Sequence, residues 1–138
     1  MVDLANNIKN AINKFDLNIK DKIVLTEGAT GNYVVTPIIA ALGGAKKVYA
    51  YTKNSNYGSI EDVKNQTFEL AKLCNVEHII EFTTDLNDIN LEEIDILTNT
   101  GFLRPIDKKM IDKLKKGCVI PLMWETWEFR DSDLDLEA

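Results

Sequence analysis

Residues 21–53 read DKIVLTEGATGNYVVTPIIAALGGAKKVYAYTK: a short apolar run, a turn bearing two glycines, a longer apolar stretch and a second apolar run. Ile23, Val24 and Leu25 are consecutive and apolar, as a strand buried on both faces of a parallel sheet requires. The turn opens at Gly28. From Gly28 to Gly31 the order Gly-Ala-Thr-Gly supplies two positions that tolerate positive φ and carry no side chain, so a phosphate can approach the main chain closely. A helix opening near Asn32 would direct its unpaired N–H groups and positive dipole end at the same space. Pro37, which lacks a donor, predicts a late or kinked start to that helix. Strand, turn, helix and strand in this order form the first half of a nucleotide-binding βαβ unit, with Gly28, Ala29, Thr30, Gly31, Asn32 and Tyr33 as candidate contacts. The competing reading is an ordinary tight turn that binds nothing.

The same alternation runs outward from this stretch. Asp3 is placed to cap an opening helix with Leu4, Ile8, Ala11, Ile12 and Phe15 on one face. Ser59 and Asp62 resemble a capping box with aspartate in place of glutamate, and Val63, Thr67, Leu70, Ala71 and Cys74 make the stripe of the helix that follows. Residues 78–82 give a third strand, residues 83–90 are polar without a clear period, and residues 94–97 give a fourth strand ending in Thr98-Asn99-Thr100-Gly101. Pro105 stands where a helix begins, Ile106, Met110, Ile111 and Leu114 mark its face, and Gly117 is the expected stop. Residues 118–123 read as strand five.

The expectation is an α/β fold: a three-layer parallel sheet of about five strands in the order 3-2-1-4-5, preceded by an N-terminal helix. One domain spans residues 1–138, comprising an N-terminal helix (1–20), a βα core (21–123) and a C-terminal segment (124–138). Ligands in such sheets sit beyond the carboxyl ends of the strands where the order reverses, between strands one and four. Thr98, Asn99, Thr100 and Gly101 should therefore face the glycine turn. Asn99 and Thr100 can offer a carbonyl, an amide and a hydroxyl to a ribose or nicotinamide group. The plainer alternative is a strand end finished with turn-forming residues.

Composition narrows the function classes. At 138 residues and 45% hydrophobic, the chain suits one domain with a real core and is too short for a cofactor domain plus a full catalytic domain. Sixteen basic against 22 acidic residues, with no long basic run, argue against nucleic acid or an anionic membrane as partner and favour a small-molecule nucleotide. No apolar run approaches the ~20 residues of a membrane span, and the first residues lack the order of a signal peptide, so a cytoplasmic location is expected. Cys74 and Cys118 lie far apart without a CxxC pattern, and His78 has no partner at metal-ligand spacing, so no metal site is expected and both cysteines read as small core residues.

The GATG turn resembles the Gly-Ala-Thr-Gly-x-x-Gly turn of extended short-chain dehydrogenases/reductases, with Val34 where the last glycine of that pattern stands. Against the Gly-x-Gly-x-x-Gly template, Thr30 and Tyr33 occupy the second and third glycine positions. Residues 94–136, with TNTG, IDKKMIDKLKKG, CVIP and then a glutamate followed by an acidic pair, are similar to the end of the cofactor domain in adenosylhomocysteinases and their 2-hydroxyacid dehydrogenase relatives. Together the resemblances extend over most of residues 22–136 and imply a Rossmann-fold NAD(P)-binding domain of an oxidoreductase. NAD-preferring domains place an acid about 20 residues after the turn. Here that position falls near Thr52, and Lys53, Asn54 and Ser55 follow, giving donors and a positive charge suited to a 2′-phosphate. NADP is thus expected ahead of NAD. The missing acid also counts against a methyltransferase-like domain binding S-adenosylmethionine, which stays as a minor alternative beside a non-catalytic nucleotide-binding or regulatory module.

After strand five, Trp124, Glu125, Thr126, Trp127, Glu128, Phe129 and Arg130 should lie at the carboxyl edge of the sheet. Glu125 or Glu128 could serve as a base beside an aromatic wall. There is no Tyr-x-x-x-Lys dyad, so the catalytic group is expected from this segment, another chain or a missing domain. Dinucleotide domains usually carry about six strands, and the sequence ends before a sixth. It therefore reads either as one domain of a longer enzyme or as a homo-oligomer anchored by Trp124, Trp127 and Phe129.

Overall fold

The computed structural model describes residues 1–123, 130 and 132–138. Four strands, β1 (Ile23–Glu27), β2 (Lys47–Tyr51), β3 (Ile80–Thr83) and β4 (Ile96–Leu97), form an all-parallel sheet in the order β3-β2-β1-β4. Side chains alternate across a strand, and the core divides accordingly. Val24, Val48, Ala50, Ile80 and Ile96 pack into one cluster with α1 (Val2–Phe15), α2 (Val35–Leu42) and α3 (Ile60–Cys74). Leu25, Tyr49, Tyr51 and Leu97 turn the other way, onto Ile89, Ile94, Leu103, Ile106 and Leu134. Among the described residues that layer contains little helix. It is built from the 3-10 turns Leu86–Asp88 and Leu91–Glu93 and the single turn α4 (Lys108–Ile111), so the polar stretch after β3 is a pair of side-chain-capped turns.

The local signals in α2 and α3 carry through. A 3-10 turn, Gly31–Val34, precedes α2, which puts Pro37 in the first helical turn, where its missing N–H costs no intrahelical bond. Ser59 and Asp62 form a reciprocal capping box, and Val63, Thr67, Leu70, Ala71 and Cys74 are all buried. The opening helix differs from expectation: it begins at Val2 with no side-chain cap, so Asp3 lies in the first turn, and Ala11 and Phe15 are exposed.

Two expectations are corrected. Among the described residues the sheet has four strands, not about five. Residues 118–123 meet β4 at one bridge, Ile96 with Val119, where the Leu97 N–H donates to the Val119 carbonyl (3.0 Å) and the Val119 N–H to the Asp95 carbonyl (2.9 Å). The ladder stops there for two reasons. Pro121 has no N–H to continue it, and the Met123 N–H donates to the Asn99 side chain (3.0 Å) instead of to a strand carbonyl. The helix expected from Pro105 to Gly117 is one turn only. Ile106 is extended, paired in parallel with Leu134, so helix cannot begin before Asp107, whose carboxylate caps α4 through the Met110 N–H (2.9 Å).

Among the described residues no helix is long and apolar enough to cross a membrane.

Candidate functional site

Beyond the carboxyl ends of β1, β2 and β4 lies a cleft of about 400 Å³. Its first wall is the glycine turn: Ala29, Thr30, Gly31, Asn32 and Tyr33, continued by Thr36. Ser55, Tyr57 and Gly58 come from the loop after β2, and Val63 from α3. Glu27 joins Thr100, Gly101 and Phe102 on the remaining side. The two turns that flank the reversal of strand order therefore share one cavity.

The two glycines of the turn do different work. Gly31 has φ +65° and nothing within 4 Å of the position a Cβ would take, so it serves the backbone bend and leaves open space. Gly28 is buried, and a Cβ there would come within 2.9 Å of Phe82 Cε1 and 3.2 Å of Val63 Cγ1. Its missing side chain lets β1 approach Phe82. Gly28 does not line the cleft, and its N–H donates to the Tyr51 carbonyl (2.8 Å). The turn is braced from outside: the Thr30 hydroxyl donates to the Tyr57 carbonyl (2.9 Å), and the Gly31 N–H to Gln66 Oε1 (3.3 Å).

The loop after β4 is held to β1 by buried polar side chains. Thr98 and Thr26 share a hydroxyl–hydroxyl hydrogen bond at 2.7 Å. Asn99 is fully buried; its carbonyl accepts from Arg104 Nε (2.7 Å) and its Oδ1 from the Met123 N–H, so it fastens the chain and does not line the cleft. Thr100 donates its hydroxyl to Glu27, whose other carboxylate oxygen accepts the Leu103 N–H (3.1 Å). Burial pushes the Glu27 carboxyl above its ordinary value; the Thr100 hydroxyl, the Leu103 and Gly101 N–H groups and the charge of Arg104 pull only partly against it.

The residues expected to read a ribose lie unevenly. Thr52 is fully buried and outside the cleft, with no partner for its hydroxyl among the described residues. Lys53 is exposed, its ammonium 5.3 Å from the centre of the Phe102 ring, one side chain away from the cavity. Asn54 accepts the Ile60 N–H (2.9 Å) at the entry to α3. Only Ser55 of this group lines the cleft, beside Tyr57, which is 88% exposed. Glu125 and Glu128 lie outside the described residues.

The sequence reading missed Glu27, Tyr57 and Phe102. For Glu27 a signal existed: a carboxylate at the last position of a run that is otherwise buried has to be held by something, and a strand end facing a crevice is where such a group meets a ligand.

No model of a known protein family matches this sequence, and no curated protein matches it either.

Proposed function

We propose that the chain is a nucleotide-binding domain, that its ligand is NADP or NAD with NADP preferred, and that it serves an oxidoreductase. The observation that supports this reading is the position of the cleft. It opens where the parallel strand order reverses between β1 and β4, with a glycine of positive φ and the start of the α2 segment on its wall. A volume of about 400 Å³ suits a nucleoside half of a dinucleotide, the remainder extending past the rim. Residues 29–33 would cradle phosphate, Ser55 and Thr100 would offer hydroxyls to ribose, and Lys53 would leave Phe102 to meet a 2′-phosphate. The bound nicotinamide would supply hydride chemistry, and this chain would position it. The acid or base would come from Glu125, Glu128 or a group outside the chain.

One observation favours a second ligand. Among the described lining residues there is no lysine, arginine or histidine, and Glu27 is the acidic one. Such a lining suits a neutral or cationic nucleoside, of which S-adenosylmethionine is the cationic example. Thermal unfolding with NADP, NAD, their reduced forms and S-adenosylmethionine separates the readings. A ligand at one hundred times its Kd adds about 2.7 kcal/mol of stability, roughly a 5–15 °C rise for a domain of this size. NADP should raise Tm most, and Lys53→Asp should weaken NADP more than NAD. A rise with S-adenosylmethionine alone supports the second ligand, and no rise with any of them refutes nucleotide binding.

A further inference from the structure

Glu27 is the buried carboxylate that the dinucleotide reading leaves without a task. It ends β1, is 5% exposed, and still lines the cleft. Among the described residues no lysine, arginine or histidine lies within salt-bridge distance of it, and the charge of Arg104 offsets its burial only in part. A charge held this way is costly to keep out of water, and a neutral glutamine could hold the loop after β4 through much the same hydrogen bonds. A carboxylate offers about four acceptor positions. The Thr100 hydroxyl and the Leu103 N–H take one on each oxygen, and the Gly101 N–H adds a weaker interaction. Acceptor capacity is left on an oxygen pair that borders the cavity. Gly101 keeps that side open, because a Cβ there would sit 3.5 Å from Glu27 Oε2.

We propose that Glu27 is the ligand-recognising carboxylate of the cleft and accepts a hydrogen bond from a hydroxyl or ammonium group of a nucleoside-bearing ligand. The inference rests on the reading that the cleft binds a nucleotide, and it adds an orientation. Phosphate oxygens are acceptors and would be repelled at Glu27, so the donor-bearing part of the ligand lies against β1 and Thr100, and any phosphate lies toward Gly31 and Asn32. Tyr33 and Tyr57, both exposed and both lining the cleft, flank the approach.

The test compares wild-type protein with Glu27→Gln, using adenosine, S-adenosylmethionine and inorganic pyrophosphate as probes in isothermal titration. Glutamine keeps the shape and an oxygen for the Leu103 N–H, while its amide can donate to the Thr100 hydroxyl. A hydrogen bond to a charged acceptor is lost, so binding of the probe that uses it should fall by about tenfold or more, while pyrophosphate binding is unchanged or tighter. Loss with adenosine identifies a hydroxyl donor; loss confined to S-adenosylmethionine identifies the ammonium. Equal affinity of variant and wild type for both nucleosides overturns the proposal and leaves nucleotide binding standing. Failure of wild-type protein to bind any of the probes, NADP and NAD included, overturns both.

If Glu27→Gln does not fold, the wild-type pH profile decides. Adenosine does not titrate in the range used, and Arg104 is the charged group acting on Glu27. Adenosine affinity should fall on acidification as Glu27 takes up its proton. Flat profiles for both adenosine and S-adenosylmethionine down to about pH 4.5, the ordinary glutamate range, overturn the proposal.

Discussion

Replacing Gly28 by alanine tests whether this glycine exists for packing or for a ligand. The added methyl would sit 2.9 Å from Phe82 Cε1 and 3.2 Å from Val63 Cγ1, where carbon atoms rest at about 3.5–4.0 Å, so something must move by roughly half an ångström or more. The ring has little room. Phe82 lies edge-on to Phe68 with centroids 5.4 Å apart and planes at 69°, and Val63 is buried on α3. Overpacking of this kind costs about 1–3 kcal/mol, partly offset by the roughly 0.4–1 kcal/mol that alanine gains by restricting the unfolded chain. A net loss of about 1–2 kcal/mol lowers the urea midpoint by about 0.5–1 M at a slope of about 2 kcal/mol per M. Phe82→Leu removes the ring edge that the methyl meets. A double-mutant cycle should therefore show the two changes coupled by about 1 kcal/mol, the pair being less damaging than the sum. Unliganded Gly28→Ala within about 0.3 kcal/mol of wild type, or a cycle with no coupling, would refute the packing role and return Gly28 to the ligand.

Removing the α3 cap by Ser59→Ala breaks the bond to the Asp62 N–H (3.1 Å) and should cost about 1 kcal/mol in chemical denaturation, with no change in nucleotide affinity. Glu27 should also leave a signature in stability against pH. Because its carboxyl is raised in the folded state, the folded chain binds that proton more tightly than the unfolded chain, so stability falls as pH rises from the ordinary value of 4.5 through the raised one and stays lower above it. Glu27→Gln removes this slope. Near neutral pH the variant should unfold at the same temperature as wild type or a few degrees higher; a clear loss of stability there would mean that the loop after β4 depends on the charge.

The sequence was most legible where one segment carried its own instructions. The α3 capping box and stripe needed only the spacing of Ser59, Asp62, Val63, Thr67, Leu70, Ala71 and Cys74, because a helix satisfies its backbone from within. The late start of α2 followed from Pro37 in the same way. Strand five and the Pro105 helix were misread because their fates depend on partners distant in sequence. Ile106 is extended because Leu134 pairs with it, and the Met123 N–H leaves the ladder because Asn99 is there to receive it.

The apolar runs, the glycine turn and the alternation of elements by themselves determined a parallel α/β sheet in which the turn after β1 faces the one after β4. Only the tertiary structure decided which polar groups enter the cleft. Thr98 and Asn99 look as available as Thr100 in sequence, yet the fold buries the first two as fasteners and leaves the third at the cavity. The same holds for Gly28 and Gly31, one pressed against Phe82 and the other open. A residue's chemistry is written in its type, whereas its exposure is set by neighbours brought in from across the sheet, and for Glu27 those neighbours lie more than 70 positions away.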